Sequence, residues 1–481
     1  MKRLLLILLF IVSIFEGFSR SKNKTASVEF AIELQQSALQ DKKESSLSSK
    51  NLVSQQSNMV AVCWVRQFAL IERWIAGMRP TVSARAMTYI HLAAYETALP
   101  GMPNFVSNQT HIQGLEIPTL SYDPKRINWN IALNACYAKM DSVFLISAGY
   151  KWNATLTRLK DSLNTLFQSG MPEEDFKASV EWGLKVANTV WEYSKTDVAG
   201  NQQRMVPYPK NYLCPSGQGH WVGEIYGGFL PFTPNWGEVR TFTTFGEQLV
   251  SPPPLPYSED KKSDYYKQHE EVYKNWKQMD STKRWIAEFW SDDIVNLTFG
   301  PSTRMLVIAS QMAEKEHFNL EKTLHLFCKL SIGLNDATVA CWKSKYIYST
   351  ERPWQYIVKN IDSNFKSIMG QSVDQSGKNP PFPAYPSGHS SCAGVSEVIL
   401  ADFFGEQYTF TDSSHYGRKE FMSTPRTFTS MKQLAEEDAY SRIPMGAHVR
   451  MDCDEGLRVG RQIGKNVSSY SLQKNTDITN Q

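Results

Sequence analysis

Residues 319–354 have the sequence NLEKTLHLFCKLSIGLNDATVACWKSKYIYSTERPW. Apolar side chains recur at intervals of three and four residues through most of this stretch, which is the period of an α-helix. Lys345 and Arg352 are seven residues apart, so about two helical turns place both cations on one face, and Pro353 ends the helix. The stretch therefore predicts a long helix with a pair of positive charges near its C-terminal end.

The helical period recurs on both sides of this stretch, without an internal repeat or a strand-rich region. The clearest other runs are residues 65–78, 81–99, 129–147, 154–170, 173–195, 264–278, 282–298 and 303–316. We therefore predict an all-α fold, a helical bundle with an N-terminal helical portion.

The first residues are typical of a secretory signal peptide: Lys2 and Arg3, an apolar stretch, and a cleavage position after Ser19. We expect an exported protein, periplasmic or secreted, without stable membrane insertion after cleavage. The expected segments are a signal peptide (1–19), a flexible polar leader (20–57), an N-terminal helical region (58–197), a crossing segment rich in Gly, Pro and aromatic residues (198–258), a catalytic helical bundle (259–467) and a polar tail (468–481).

The overall charge argues against a nucleic-acid partner. The 481 residues include 51 Lys and Arg against 48 Asp and Glu, a net charge of +3 that is spread evenly along the chain. Any specificity for an anion must therefore be local. The seven scattered cysteines form no CxxC pair, and we expect most of them to be buried small apolar residues.

A second motif lies in residues 380–394, PPFPAYPSGHSSCAG. Its prolines predict an extended loop that leads into a helix beginning near Ser387, Gly388 and His389. The free N–H groups of a helix N-terminus, a serine hydroxyl and a glycine can form a seat for an anion. Taken alone, the same residues fit a serine N-cap after a proline loop.

A third motif lies in residues 436–463, EEDAYSRIPMGAHVRMDCDEGLRVGRQI. It contains Ser441, Arg442, His448 and Asp452. His448 and Asp452 have i, i+4 spacing on a helix that Pro444 and Gly446 help to start, so the carboxylate can fix the imidazole tautomer. Taken alone, this pair is equally a local helix contact, just as a lysine and an arginine seven residues apart are ordinary on a solvated surface.

Together, the three motifs supply the cations, hydroxyl, N–H group and histidines that a tetrahedral oxyanion requires. In this order they resemble the three-part motif of the superfamily that joins vanadium-dependent haloperoxidases with type 2 phosphatidic acid phosphatases and bacterial acid phosphatases. The matching residues are Lys345, Arg352, Pro353, Pro386, Ser387, Gly388, His389, Ser441, Arg442, His448 and Asp452. The large N-terminal portion and the segments 235–244 and 286–293 resemble the bacterial haloperoxidase-like branch.

The resemblance to haloperoxidases implies vanadate as cofactor, with its vanadium bound to His448, and hydrogen peroxide and halide as substrates. It implies oxyanion binding by Lys345, Arg352, Ser387, Gly388, Arg442 and His448, and catalytic roles for His389, His448, Lys345 and Asp452. His389 would be the acid–base group, and Asp452 would orient His448. Trp342 and Phe382 resemble the aromatic residues on the halide side of fungal chloroperoxidases, and Asp292 or Asp293 would pair with Arg442.

Phosphate and vanadate share shape and charge, so the motif also fits an acid phosphatase that needs no vanadate. In that alternative His448 would attack the phosphorus of a phosphomonoester or lipid phosphate, and His389 would protonate the leaving alcohol. A third possibility is an exported protein that only binds phosphate. All three predict a small-molecule ligand.

Overall fold

The computed structural model describes residues 51–222, 230–292, 294, 296–370, 377–420 and 422–474. The predicted signal peptide, most of the polar leader and the end of the polar tail lie outside the described residues. None of the helices in the described part is both long and apolar enough to span a membrane.

The described residues form fourteen α-helices and one small antiparallel sheet, so the prediction of an all-α fold is confirmed. The helices are α1 (Met59–Glu72), α2 (Thr81–Ala98), α3 (Trp129–Phe144), α4 (Tyr150–Phe167), α5 (Glu173–Lys195), α6 (Val198–Met205), α7 (Asp264–Lys277), α8 (Ser281–Phe289), α9 (Pro301–Lys315), α10 (Leu320–Tyr348), α11 (Pro353–Asn360), α12 (Gly388–Phe404), α13 (Met431–Met445) and α14 (Arg450–Ser469). The strands are β1 (Phe410–Asp412) and β2 (Arg426–Phe428).

Helix α10 is the centre of the bundle. It begins after Asn319, whose side chain accepts a hydrogen bond from the Lys322 N–H at 2.9 Å, an N-cap that the sequence favours. Its 29 residues span about 44 Å and are buried over most of their length. Helices α2, α12 and α14 pack around it, and one hydrophobic core contains side chains from Val53 to Leu472. The N-terminal helices and the C-terminal bundle therefore share a core.

Helices α12 and α14 lie close together because α14 places glycines at every fourth position of the contact. These glycines are Gly456, Gly460 and Gly464. A Cβ atom on Gly456 would lie 2.6 Å from the Ser387 carbonyl oxygen, and one on Gly460 would lie 2.3 Å from that of Ser391. The close approach lets the Ser387 N–H donate to the Asp452 carbonyl oxygen at 2.8 Å. It therefore joins the second motif to the third.

The crossing segment is bound to α10 through Asp336, which is buried in that helix. The Asp336 carboxylate accepts hydrogen bonds from the N–H groups of Phe242, Thr243 and Thr244, at 2.9, 2.7 and 3.1 Å. The segment shows no sustained helical period, yet it begins with helix α6. The side chain of Asp197 caps this helix and accepts a hydrogen bond from the Gly200 N–H at 3.2 Å. Local capping thus forms a helix that periodicity does not reveal.

Replacing Gly460 by Ala tests the close packing of α12 on α14. The added methyl group would overlap the Ser391 carbonyl oxygen, and overpacking of this kind costs roughly 1–3 kcal/mol. We expect the free energy of unfolding, measured in urea, to fall by about 2 kcal/mol, because overlap outweighs the better helix propensity of Ala. The control Lys465→Ala, an exposed site on the same helix, should change it by less than about 0.5 kcal/mol. A more stable Gly460→Ala variant would contradict the packing.

Candidate active site

Lys345 is fully buried in the last turn of α10. Its Nζ atom donates hydrogen bonds to the carbonyl oxygens of Pro383, at 2.9 Å, and Ala384, at 2.6 Å. Both carbonyls belong to the proline-rich loop before α12, so Lys345 connects the first motif to the second. Two of the three ammonium hydrogens are used by these carbonyls.

Arg352 lies in the same site as Lys345, but it does not belong to α10 as the sequence predicted. Helix α10 ends at Tyr348, because Ser349 has the left-handed conformation with φ 48°, and Arg352 is the N-cap of α11. Pro353 therefore begins a helix instead of ending one, since proline suits the first helical position and needs no N–H acceptor there. The prediction that Lys345 and Arg352 share one helix face is wrong.

The buried Arg352 guanidinium nevertheless points into the site. Its Nε donates to the Phe382 carbonyl oxygen at 3.0 Å, and its Nη1 donates to the Ala447 carbonyl oxygen at 3.0 Å. Nη1 also lies 3.0 Å from Nε2 of His448. Arg352 thus connects all three motifs, and its buried Nη2 has no hydrogen-bond partner among the described residues.

The second motif forms the N-terminus of α12, as predicted. Ser387 is the N-cap, and its Oγ accepts from the Ser390 N–H at 3.3 Å. Gly388 follows, and a Cβ atom there would lie 3.3 Å from the Trp342 ring. His389 is buried, and its Nε2 has no hydrogen-bond partner in the described part of the chain. The motif therefore combines an ordinary cap with an unsatisfied imidazole nitrogen.

Arg442 is buried near the C-terminal end of α13. Its Nη1 donates to the Trp290 carbonyl oxygen at 2.7 Å. Of the two acidic residues expected beside it, Asp292 accepts a hydrogen bond from Arg304 at 3.0 Å, and Asp293 lies outside the described residues.

The His448 imidazole is held between a carboxylate and a guanidinium. Nδ1 lies 3.0 Å from Asp452 Oδ2, which also accepts from the Val449 N–H at 3.2 Å, and Nε2 lies 3.0 Å from Arg352 Nη1. Since a carboxylate only accepts, the hydrogen is on Nδ1 and the lone pair is on Nε2. The expected orientation of His448 by Asp452 is present in the geometry.

The helix around this pair differs from the predicted one. Pro444 lies inside α13, and Gly446, with φ 82°, ends that helix instead of starting the next. A left-handed C-cap is a common place for glycine. His448 therefore lies in the turn before α14, and only Asp452 is in the helix, within its first turn.

Burial and positive charge keep both histidines neutral. Burial lowers the pKa of His448 well below its usual value, and Arg352 and Lys345 lower it further. Burial, followed by Arg442, does the same to the pKa of His389. Both imidazoles can therefore offer a lone pair at neutral pH.

The pocket has more buried positive than negative charge. Burial lowers the pKa of Lys345, and it raises the pKa of Asp452 against the opposing effect of Lys345 and Arg352. Asp438, one turn before Arg442, adds no countercharge, because burial raises its pKa to about 8. Unbalanced buried charges cost several kcal/mol each. A bound anion would therefore stabilise this arrangement.

The two expected aromatic residues form a wall beside the cations. The ring centroids of Trp342 and Phe382 are 4.7 Å apart, and Lys345 Nζ lies 5.6 and 5.3 Å from them, respectively. Phe232 completes the wall: its ring packs on both, and its carbonyl oxygen accepts from Tyr346 Oη at 2.7 Å.

Sequence reasoning missed Phe232, which comes from the crossing segment, and Trp290, which binds Arg442 through its backbone. The density of aromatic residues in the crossing segment indicates burial, but nothing in the sequence assigns Phe232 to the site. A backbone carbonyl leaves no sequence signal at all. Lys343, two residues before Lys345, is partly buried along α10.

Comparisons with known proteins show what this chain is similar to. Residues 325–476 match the family model of the VCPO second helical-bundle domain. This part of the chain contains all three motifs, so the predicted resemblance to the superfamily is confirmed. No match is found among curated proteins.

Solved structures show which proteins the whole chain is similar to. The first bacterial vanadium-dependent iodoperoxidase is 27% identical, with a TM-score of 0.77 over 87% of this chain and 98% of that one. A holo-type bacterial vanadium-dependent chloroperoxidase is 14% identical, with a TM-score of 0.60 over 82% of this chain and 92% of that one. The apo-type is also 14% identical, with a TM-score of 0.63 over 82% and 95%. The two chloroperoxidases show a shared fold.

Oxyanion affinity should fall as the pH rises above neutral. Burial lowers the pKa of Lys345, so alkaline solution removes its charge before that of an exposed lysine. Sulfate, whose charge is constant near neutral pH, should lose up to about tenfold in affinity per pH unit in calorimetric titrations, because binding then requires uptake of one proton.

The control for this pH dependence is Lys345→Met. We expect the variant to bind sulfate more weakly at neutral pH and with an affinity that changes little as the pH rises. Equal pH slopes in the wild type and in Lys345→Met would show that another group controls the charge of the site.

Proposed function

We propose that this protein is a vanadate-dependent haloperoxidase that oxidises a halide with hydrogen peroxide to hypohalous acid. The observation that carries the proposal is the buried excess of positive charge around His448, whose Nδ1–H is held by Asp452 and whose Nε2 lone pair faces Arg352. The similarity to a bacterial iodoperoxidase over 98% of that chain supports halide oxidation.

Vanadate fits the residues that are present. Arg352 Nη2 is buried without a partner among the described residues, and the Ser387 hydroxyl, which accepts from Ser390, keeps its own hydrogen to donate. The residues that would hold vanadate are Lys345, Arg352, Ser387, Gly388, Arg442 and His448. When bound, vanadate supplies an oxidised metal centre that activates hydrogen peroxide toward a halide.

The overall reaction converts one halide ion, one hydrogen peroxide molecule and one proton into hypohalous acid and water. Neutral His389 can accept a proton from hydrogen peroxide at Nε2 and return it to the oxygen that leaves as water. The Lys345 ammonium stabilises negative charge on that leaving oxygen. Asp452 keeps the His448 lone pair on Nε2.

The aromatic wall provides the side from which the halide approaches. Trp342, Phe382 and Phe232 present apolar rings next to Lys345 and Arg352. A large, weakly hydrated anion loses less on entering such a surface than a small one, because its hydration is less favourable. Iodide is therefore the first halide to test, as the similarity to an iodoperoxidase also suggests.

The decisive experiment uses one preparation of purified protein in two assays. Protein loaded with orthovanadate receives hydrogen peroxide with iodide, bromide or chloride and an indicator that becomes halogenated. Protein without vanadate receives a phosphomonoester. We expect halogenation that depends on vanadate. Hydrolysis of the phosphomonoester without any halogenation would overturn the proposal in favour of the acid phosphatase.

Replacement of His448 by Ala separates an enzyme from a binding protein. The variant keeps the three cations, so we expect sulfate affinity within about tenfold of the wild type, but halide oxidation should fall by at least about a thousandfold. Lys343→Ala, a partly buried cation on α10 outside the oxyanion contacts, is the matched control and should keep its activity. A fully active His448→Ala protein would contradict the assignment of the site.

A further inference from the structure

Arg304 is a fully buried cation that belongs to none of the three motifs. It lies in the first turn of α9. Its Nη1 lies 2.7 Å from the Phe289 carbonyl oxygen, 3.0 Å from Asp292 Oδ1 and 2.7 Å from His415 Nε2. Its Nη2 donates to Asp412 Oδ2 at 2.7 Å. One side chain thus connects α9 with residues 289–292, with the end of β1 and with the segment that follows it.

Trp290 connects this cluster to the oxyanion site. The Arg304 guanidinium carbon lies 4.3 Å from the centroid of the Trp290 ring, and the indole Nε1 donates to Glu437 of α13 at 3.0 Å. The carbonyl oxygen of the same residue accepts from Arg442 Nη1 at 2.7 Å. Trp290 is therefore fixed by Arg304 on its ring and binds Arg442 through its backbone.

The cluster is also ionic. Burial raises the pKa of Asp292 and of Asp412, but the Arg304 charge and the hydrogen bonds to each carboxylate together outweigh this effect, and both pKa values are below the usual one. Burial, followed by Arg304, lowers the pKa of His415. Two ionised carboxylates against one guanidinium leave the cluster with one net negative charge. Arg304 is therefore held in this cluster by charge as well as by hydrogen bonds.

We propose that Arg304 is a positioning residue for the oxyanion site, which holds residues 289–292 so that the Trp290 carbonyl oxygen orients Arg442. This inference rests on the proposed function only in requiring that the site binds a tetrahedral oxyanion. It applies equally to a haloperoxidase and to a phosphatase. Arg304 does not touch the anion and acts through Arg442.

The test is a double-mutant cycle with sulfate as the probe, measured by calorimetric titration. Arg304→Lys keeps the charge but loses the planar guanidinium, which bonds to residues 289–292 and to Asp412 at the same time. We expect sulfate affinity to fall about tenfold. In the Arg442→Lys background the same change should have less than about a twofold effect, because residues that act as one unit are non-additive. In the Lys345→Met background it should again cost about tenfold.

A purely structural role is distinguished by a matched control. Arg85 is also buried, and its Nε bonds to Asp197 at 2.6 Å and its Nη2 to the Ser194 carbonyl oxygen at 2.6 Å, away from the motifs. Arg85→Lys should lower the melting temperature without changing sulfate affinity. If Arg304→Lys does not fold, Asp412→Asn weakens the same cluster more gently and should reduce affinity about threefold, with the same dependence on Arg442.

The two proposals fail in different ways. Sulfate affinity that is unchanged in Arg304→Lys, or a loss that is equally large in the Arg442→Lys background, overturns the role of Arg304 alone. Wild-type protein that binds neither sulfate nor vanadate overturns the proposed function and this inference together. Wild-type binding without halogenation leaves the cycle valid and overturns only the haloperoxidase proposal.

Discussion

Three positive side chains share one buried pocket, and most of the surrounding architecture follows from the need to satisfy them. Inside a helix the carbonyl oxygens are already used by the helix itself, so only loops and helix ends have carbonyls to offer. Lys345, Arg352 and Arg442 each donate to such free carbonyls, from the proline-rich loop, from the turn at Ala447 and from Trp290. The site therefore lies where several helices begin or end.

Bringing these helix ends together requires close packing elsewhere. The glycines of α14 let it approach α12 until a single added methyl group would overlap a backbone oxygen. This contact places the cap of α12 beside the first turn of α14, with Ser387 bonded to Asp452. The long α10 provides the axis on which both helices pack, and the crossing segment is attached to it through Asp336. Close packing of the helix backbones thus determines the distances between the groups that would bind an anion.

The pocket has two chemically different sides. On one side are the cations and the two neutral imidazoles, which suit any tetrahedral oxyanion. On the other side is the wall of Trp342, Phe382 and Phe232, which offers no strong hydrogen-bond acceptor beyond the Phe232 and Phe382 backbone oxygens that are already used. The oxyanion chemistry is common to phosphatases and haloperoxidases, whereas the apolar wall is what a weakly hydrated halide would use.

Much of the fold and the residue types of the candidate site can be predicted from the sequence, because helical periodicity and motif spacing are local properties. The helical class, the N-cap at Ser387 and the pairing of His448 with Asp452 depend on residues within a few positions of each other. The path of the chain at Arg352 and Gly446 was predicted wrongly, since proline and glycine fit both the end of one helix and the start or end of another. Only the local backbone dihedral angles decide whether such a residue ends one helix or begins the next.

The sequence by itself determined that this chain forms a helical bundle with cations, a serine and two histidines in a recognisable order. Tertiary structure decided that the three motifs meet, that Phe232 joins the wall and that Arg304 and Arg442 both contact Trp290. These contacts join residues that lie up to 152 positions apart in the sequence. In several of them the acceptor is a backbone carbonyl oxygen. Every residue type carries the same carbonyl group, so no pattern of side chains can reveal such a partner before the helices pack.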